Sequence, residues 1–583
     1  MDKTELARPA TIADAPARMS ARILGMVQAK NDDAWLLAAL GLAAIANASG
    51  LFVPIVEADS AMYATVAKTM VQHHDFIDLY LQGQDWLDKP HLPFWLSAIS
   101  FSIFGFTTLA YKLPALMLVL LGAFYTYAFA GVFHHRRIAL AAAAIFLSAE
   151  HIIISSNNVL AETYLTTFVI GAVYHFHRAD TADSHANLVA GCLFAAAAVM
   201  TKGIFALVPI GGAVGGGLLL NRQWRHAFHV RWLAAVLLVL LFISPEIYSL
   251  WRQFDLHPEK TVFDTAGVSG VRFFFWDSQF GRFLDTGPIR RYDSNPFQYF
   301  HIVLWAFLPW SIPLYGAAYD AIRRLVGGRP QAADGFNLSG GLVTFLLFSA
   351  SQFQLPYYLN IAFPFFAIVT AAYIFSSANP AAERLATAWQ RVFVSALVVV
   401  CLVLQLALVA PNWAGPAALL AMAVLAHAYL QRRQWEQWQS RLVVILTTAS
   451  VFGNLFINGF LMPALMKYQD GSEIAWYLNA HYPGRPVWQP RGDLYAWALE
   501  FYLQAPVAAI DTAVLQDDRL PAGALVYGHA ETLRPFADKF RLLRRAARHS
   551  VSRLTLTFLN PGTRERALTE AWLVQLEKQQ KGQ

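Results

Sequence analysis

Residues 35–63 read WLLAALGLAAIANASGLFVPIVEADSAMY. The apolar run Trp35–Val53 is long enough to cross roughly 30 Å of hydrocarbon as a helix, and it delivers two carboxylates, Glu57 and Asp59, to its far end. A spanning helix followed at once by acids raises two questions: how many such runs follow, and what the acids are for.

Runs of the same character recur along the 583 residues, of which 56% are hydrophobic and 14% charged, with 17 Trp, 22 Tyr and 42 Phe. That composition excludes an ordinary soluble domain and reads as a multi-pass membrane protein. About thirteen spans can be counted, at Trp35–Val53, Tyr111–Phe133, Ile138–Ser155, Leu160–Phe176, Leu188–Met200, Gly203–Leu220, Trp232–Leu250, Phe300–Ala318, Leu342–Ala350, Tyr358–Phe375, Val392–Val409, Ala417–Tyr429 and Leu442–Leu461. Cys192 and Cys401 lie inside such runs, so neither a disulfide framework nor a thiolate metal site is indicated. The first 33 residues are polar and slightly basic without a cleavable apolar core, and the first run is read as an uncleaved anchor. The net charge of +6 reflects where the arginines lie and makes no case for nucleic acid.

Alternate connections are arginine-rich: Arg136-Arg137, Arg178, Arg222 with Arg225 and Arg231, Arg323-Arg324 with Arg329, Arg384 with Arg391, and Arg432-Arg433 with Arg441. The positive-inside rule makes these cytoplasmic. The parity requires that Leu92–Phe104 (LPFWLSAISFSIF), which is short and contains Pro93, lie along the interface instead of crossing. On that topology the outer face gathers the loop 54–110, the turns holding Glu162 and Lys202, the loop 251–298 and a polar region, 466–583. This last region mixes strand-like pieces (Pro506–Ile510, Ala524–Tyr527, Leu554–Leu559) with helix-like ones (Leu494–Leu503, Arg564–Lys578) and reads as a small α/β domain. The expected fold is therefore an all-α polytopic membrane domain, residues 1–465, with a C-terminal α/β domain, residues 466–583.

Ionisable groups at a membrane edge are costly and are usually paired or functional. Taken singly, each candidate has a plain structural reading. Asp59 could cap the helix that begins at Ala61, Lys89 could be an interfacial lysine, and Glu162 with Lys202 could form a structural ion pair. His73-His74, with Asp75 and Asp78 nearby, lacks the spacing of helical metal ligands and reads as a solvated loop.

The combination is more specific than its members. The stretches EADSAMYATVAKTM, WLDKPHLPFWLSAISFSIFG, NVLAETYLTTF, VMTKGIFALVP, FFFWDSQFGRFL, AFLPW and QLPYYL, in this order, resemble the polyprenyl-phosphate-dependent glycosyltransferases of the GT-C fold. Within that family they are most similar to the aminoarabinose lipid A transferases and the bacterial relatives of protein O-mannosyltransferases. The resemblance covers roughly residues 35–375. It implies inverting transfer of a sugar from a polyprenyl-phosphate donor to a glycolipid, glycan or protein acceptor, at the periplasmic face of a bacterial inner membrane. Asp59 would accept the acceptor's proton, Lys89, Arg282, Tyr63 and Tyr358 would face the donor phosphate, and Glu162, Lys202, Asp88 and Glu57 would position the site. No cofactor or metal is required by this reading, although the carboxylates and phosphate together could hold a divalent cation.

The chain also departs from the family pattern. Ser60 stands where many relatives have a second acid, leaving Glu57 as the nearby carboxylate; Asp88 replaces a glutamate; and Phe353-Gln354-Leu355-Pro356 lacks the lysine of the lipid A transferases. A transporter or flippase of a lipid-linked sugar is the alternative class. It would need charge distributed through the middle of spans, whereas the charges here cluster near one edge.

Overall fold

The apolar runs fold as helices in the computed structural model, which describes residues 31–290, 295–328, 331–377, 379–409, 413–493, 496–516, 519–551 and 554–577. The polar N-terminal stretch, up to residue 30, lies outside the described residues. Among the described residues eight helices are long and apolar enough to cross a membrane, and nine when the pair Arg136–Ser148 and Glu150–Asn157, bent by 54°, is counted as one span. The remaining apolar segments are shorter, interrupted or carry charge: Leu207–Leu220 has 14 residues, and Ala161–Thr181 carries Glu162, Arg178 and Asp180.

The helices that position the site are α1 (Asp32–Ser49), α2 (Asp59–His73), α3 (Leu92–Phe104) and α4 (Thr108–Phe133). They are joined there by α5 (Glu150–Asn157), α6 (Ala161–Thr181), α7 (His185–Lys202) and α8 (Ser244–Leu250). Helix α3 is 13 residues long, about 20 Å, too short to cross. It buries Phe94, Ala98 and Phe101 and leaves Ile99, Ile103 and Phe104 exposed, the pattern of a helix with one face on protein and one on lipid.

At the opposite end of the bundle, the arginines of two connections meet the start of α1. Arg137 pairs with Asp33 at 2.6 Å and also with Glu436, while Arg433 lies over Trp35 at 4.7 Å and Trp435 at 5.4 Å. Arg136-Arg137, the start of α1 and the segment around Arg433 therefore share one end, as the charge pattern requires.

The C-terminal region folds around a five-stranded sheet, built from β1 (Val487–Pro490), β2 (Val507–Ile510), β3 (Leu525–His529), β4 (Phe540–Arg548) and β5 (Thr569–Leu576), in the order β2-β1-β3-β5-β4. β1 runs parallel to β2 and β3, and β5 antiparallel to β3 and β4. Two expectations are corrected here. Leu554–Leu559 is not a strand: Leu556–Leu559 forms a helical turn capped by Thr555, with Phe558 buried and stacked on His549 at 4.0 Å. Within Arg564–Lys578, a 3₁₀ turn (Arg564–Ala567) is followed by strand β5 instead of a helix. β5 is flanked by strands on both sides. Ala571 and Leu573 enter one core with Leu478 and Tyr527, while Val574 enters the other with Leu533 and Ile510. A strand covered on both faces loses the alternation that would identify it. Leu494 and Lys578, the ends of two expected helix-like pieces, lie outside the described residues.

This domain docks on α2 and the residues just before it through one short helix, α9 (Trp497–Tyr502). Lys68 of α2 donates to the carbonyls of Glu500, Phe501 and Leu503 at 2.8–2.9 Å, closing the helix's C-terminal end. Thr65 donates to the Trp497 carbonyl (3.1 Å), and Tyr502 accepts from the Ile55 amide (2.9 Å). Lys68 is buried, so removing its ammonium strands three carbonyls, each costing about 1–3 kcal/mol if left unpaired. Lys68→Met should lower the unfolding temperature and speed proteolytic release of the sheet domain, with the bundle intact, as read by limited proteolysis in detergent.

Candidate active site

The site is built where α2, the loop leading into α3, the end of α7 and the segment 251–290 converge. Asp59 occupies the first turn of α2, where a carboxylate is favoured by the helix N-terminus. It does not cap the helix: the N-cap is Ala58, with no side-chain capping bond. Its Oδ2 instead accepts from Tyr357 Oη at 3.0 Å. Tyr63, four residues on and so on the same helix face, is buried against Phe94 and Trp86 at 5.6 and 6.5 Å between ring centroids. The Ser60 carbonyl accepts from Tyr111 Oη at 2.8 Å, fixing the start of the helix.

Lys89 precedes Pro90, which restricts it to extended backbone. Its ammonium donates to Asp88 Oδ2 at 2.5 Å, and the other carboxylate oxygen takes the Arg282 guanidinium. Burial alone would push the Asp88 carboxyl up, but Lys89 and Arg282 outweigh it and hold it well below the usual carboxylate range. Arg282 sits in the one-turn helix Phe280–Phe283, with Phe353 under its guanidinium at 5.6 Å. Its Nε is buried and has no hydrogen-bond partner among the described residues.

Lys202 ends α7, the favourable position for a cation. It pairs with the buried carboxylate of Glu162 and lies 3.4 Å from the centre of the Tyr358 ring. The structural pair read from the sequence is therefore present, and its lysine also faces the Tyr358 ring. Lys202, Ser278, Gln279 and Arg282 line two adjoining small cavities. One continues to Asp88, Lys89 and Glu246, the other to Tyr358, Phe353 and an apolar wall of Leu165, Phe205, Phe283 and Leu347.

Two elements missed by the sequence reading shape this arrangement. Gln279 donates to the Lys202 carbonyl (3.1 Å) and accepts from the Phe205 amide (3.3 Å), crossing Gly203, whose φ is +94° and where a Cβ would collide with the Gln279 side chain. Tyr357 is the other. It lies in the 3₁₀ helix Pro356–Ala362, where successive side chains diverge by about 120°, so Tyr357 reaches Asp59 while Tyr358 reaches Lys202. Asn360 anchors the turn, donating to Ser155 Oγ (2.7 Å) and lying 2.8 Å from His151 Nδ1 of α5. The Tyr-Tyr pair was visible in the sequence, but only the turn type says which ring goes where. Gln354 faces away, donating to the Phe348 and Ser349 carbonyls.

Glu57 joins a different assembly. Its Oε1 accepts from the Ala498 amide at 2.9 Å and its own amide donates to Gln469 at 2.7 Å, so it grips the C-terminal domain and does not stand in for the acid missing at Ser60. Among the described residues no group of three or more His, Cys, Asp or Glu is arranged to hold a metal ion.

The polypeptide superimposes on the crystal structure of ArnT from Cupriavidus metallidurans bound to undecaprenyl phosphate with a TM-score of 0.71, over 93% of this chain and 98% of that one, at 15% identity. Against the apo structure the TM-score is 0.70. The chain has the GT-C fold.

Residues 88–249 match the family described as dolichyl-phosphate-mannose-protein mannosyltransferase. That stretch holds Asp88, Lys89, Glu162, Lys202 and Glu246 of the candidate site but not Asp59, Arg282 or Tyr358. An undecaprenyl phosphate-alpha-4-amino-4-deoxy-L-arabinose arabinosyl transferase from Edwardsiella ictaluri (strain 93-146) is 26% identical over 322 residues, 54% of this chain and 55% of that protein. A second such transferase, from Proteus mirabilis (strain HI4320), is 26% identical over 308 residues, 52% of each. The chain thus spans about half the length of the curated relatives it matches.

Burial pushes the Glu57 carboxyl up from its ordinary 4.5 to about 7, against the lowering influence of the Ala498 amide and Arg548. Between these values the unfolded chain is ionised there and the folded one is not, so stability should fall as pH rises from about 4.5 to 7 and stay low above it. The full cost is on the order of 3 kcal/mol. Glu57→Gln, which can still accept from Ala498, should flatten that part of the profile; thermal unfolding of both proteins at pH 5, 6, 7 and 8 measures the difference.

Proposed function

We propose that the protein is a membrane glycosyltransferase that moves a sugar from a polyprenyl-phosphate donor to a hydroxyl or phosphate acceptor at the periplasmic face of a bacterial inner membrane. The observation that carries this reading is the pairing of opposite chemistries within one site. An Asp59 carboxylate oriented by Tyr357 stands on α2, while Lys89, Arg282 and Lys202 surround small cavities with an apolar wall.

For a hydroxyl acceptor, its oxygen would attack the anomeric carbon from the face opposite the phosphate, passing its proton to Asp59. The bond from the anomeric carbon to the phosphate oxygen would break with its electron pair going to that oxygen, so configuration inverts and the leaving phosphate gains negative charge. Cations already in place stabilise that charge without reorganising. Arg282, which lines both cavities and whose buried Nε has no partner among the described residues, is one donor for it, and Lys202, held by Glu162 and Tyr358, offers a second. Glu162 serves to hold Lys202 and Asp88 to hold Lys89 and Arg282. The polyprenyl tail suits the apolar wall of Phe205, Phe283 and Leu347. Donor sugars of the aminoarabinose class are supported by the relatives' names, and lipid A-type glycolipids, other envelope glycans and proteins are the acceptors to be tested. Clustering of the charges at one edge of the bundle supports chemistry there over translocation through it.

The test uses the purified protein with a panel of polyprenyl-phosphate sugars and lipid, glycan and protein acceptors, with products read by mass spectrometry. Asp59→Asn should lower turnover by about 10²–10⁴-fold while donor binding persists, and Lys89→Ala should chiefly weaken donor binding. Equal turnover by wild type and Asp59→Asn, or donor movement between leaflets without sugar transfer, would replace this reading.

A further inference from the structure

The loops that carry Lys89 and Arg282 are zipped together along a seam that runs up to the cavity they line. Gln253 both accepts from the Leu79 amide and donates to the Leu79 carbonyl, at 2.9 Å each, and donates to Asp85 at 3.0 Å. Lys260 reaches Asp85 at 2.8 Å. The innermost tooth of the seam is His91 with Glu246, both at 0% exposure. Glu246 Oε2 accepts from the His91 backbone amide and Oε1 faces His91 Nδ1, at 3.0 Å each; His91 Nε2 lies 2.8 Å from the Ile77 carbonyl oxygen.

Both imidazole nitrogens thus face acceptors, an arrangement that a neutral ring beside a carboxylate cannot satisfy, since one nitrogen would turn a lone pair on an oxygen. Beside an ionised Glu246 both nitrogens donate, and the ring carries the proton that makes the pair an ion pair. Burial opposes the charged ring, but Glu246 and the Ile77 carbonyl prevail and keep its pKa above the usual 6.5.

We infer that Glu246 and His91 are positioning residues for the donor phosphate, acting through Lys89, which stands two residues before His91 across the rigid Pro90. This rests on the proposed function. Glu246 lines the same cavity as Lys89 and Arg282, and its helix α8 leads directly into the loop that carries Arg282. One carboxylate therefore fixes the backbone and ring of the residue that ends the Lys89 corner, and ties that corner to the other loop. Removing the latch frees the corner to move Lys89 away from Arg282, weakening phosphate recognition while leaving Asp59 and Tyr357 in place.

The experiment measures binding of undecaprenyl phosphate, with undecaprenol as the phosphate-free control, to the full-length protein in detergent by native mass spectrometry. Lys89→Ala sets the scale for loss of the phosphate contact. Glu246→Gln and His91→Gln should weaken undecaprenyl phosphate by about tenfold or more without changing undecaprenol. His91→Asn places an amide N–H near the position of Nδ1 and can still donate to Glu246, so it should stay within about threefold of wild type. If His91→Asn and His91→Gln weaken binding equally, or if Glu246→Gln weakens both lipids alike, the pair is only structural and the inference falls. Should Glu246→Gln fail to fold, the two His91 variants decide. A wild type that prefers the phosphate but transfers no sugar removes the proposed reaction and leaves the latch to be judged by the same variants. A wild type that does not distinguish the two lipids overturns both.

Discussion

Three cations, Lys89, Arg282 and Lys202, line adjoining cavities with their side chains largely buried, and like charges a few ångströms apart in such surroundings repel by several kcal/mol. Asp88 makes the assembly tenable. One oxygen takes Lys89 and the other takes Arg282, which comes from a loop nearly two hundred residues later. Glu162 does the same for Lys202. Each cation is thereby held at a fixed place by a partner on its inner side while keeping donors toward the cavity, which is the condition for stabilising charge that appears only during reaction. The loop seam, the Gly203 turn under Gln279 and the 3₁₀ turn of Tyr357 and Tyr358 all serve to keep these few groups in register.

Much of this was legible in the sequence because membrane insertion leaves a coarse signal. Apolar runs from Trp35–Val53 onward fell on helix, and Asp59, Lys89, Glu162 and Lys202 stood out because charge is scarce. What was not legible depended on local geometry. Whether Asp59 capped its helix or faced another group turned on a hydrogen bond from Tyr357, 298 residues away. Glu57 and Asp59 are two residues apart yet serve different partners, one the C-terminal domain and one Tyr357. In the C-terminal domain, β5 was mistaken for helix because both of its faces are buried, and Leu554–Leu559 was mistaken for a strand because short alternation also fits a capped turn around one buried ring. Burial by distant segments decided both cases, and no window of sequence contains it.

The C-terminal domain is more than an appendage to the bundle. Lys68, Thr65 and Glu57 all bind its helix α9 or the strand of chain beside it, and all three lie on α2 or just before it. The element that presents Asp59 is thus held from the membrane side by Tyr111 and from the aqueous side by α9.

Helix α3 begins three residues after Lys89 and exposes Ile99, Ile103 and Phe104. In a bilayer those side chains belong in hydrocarbon, so the helix settles at a fixed height and carries the Lys89 corner with it. The cation cluster is then levelled by the membrane surface itself. A lipid phosphate, which every bilayer holds at nearly one depth, would meet these cations by altitude before any detail of its sugar is read, and a water-soluble sugar phosphate would have no such guide.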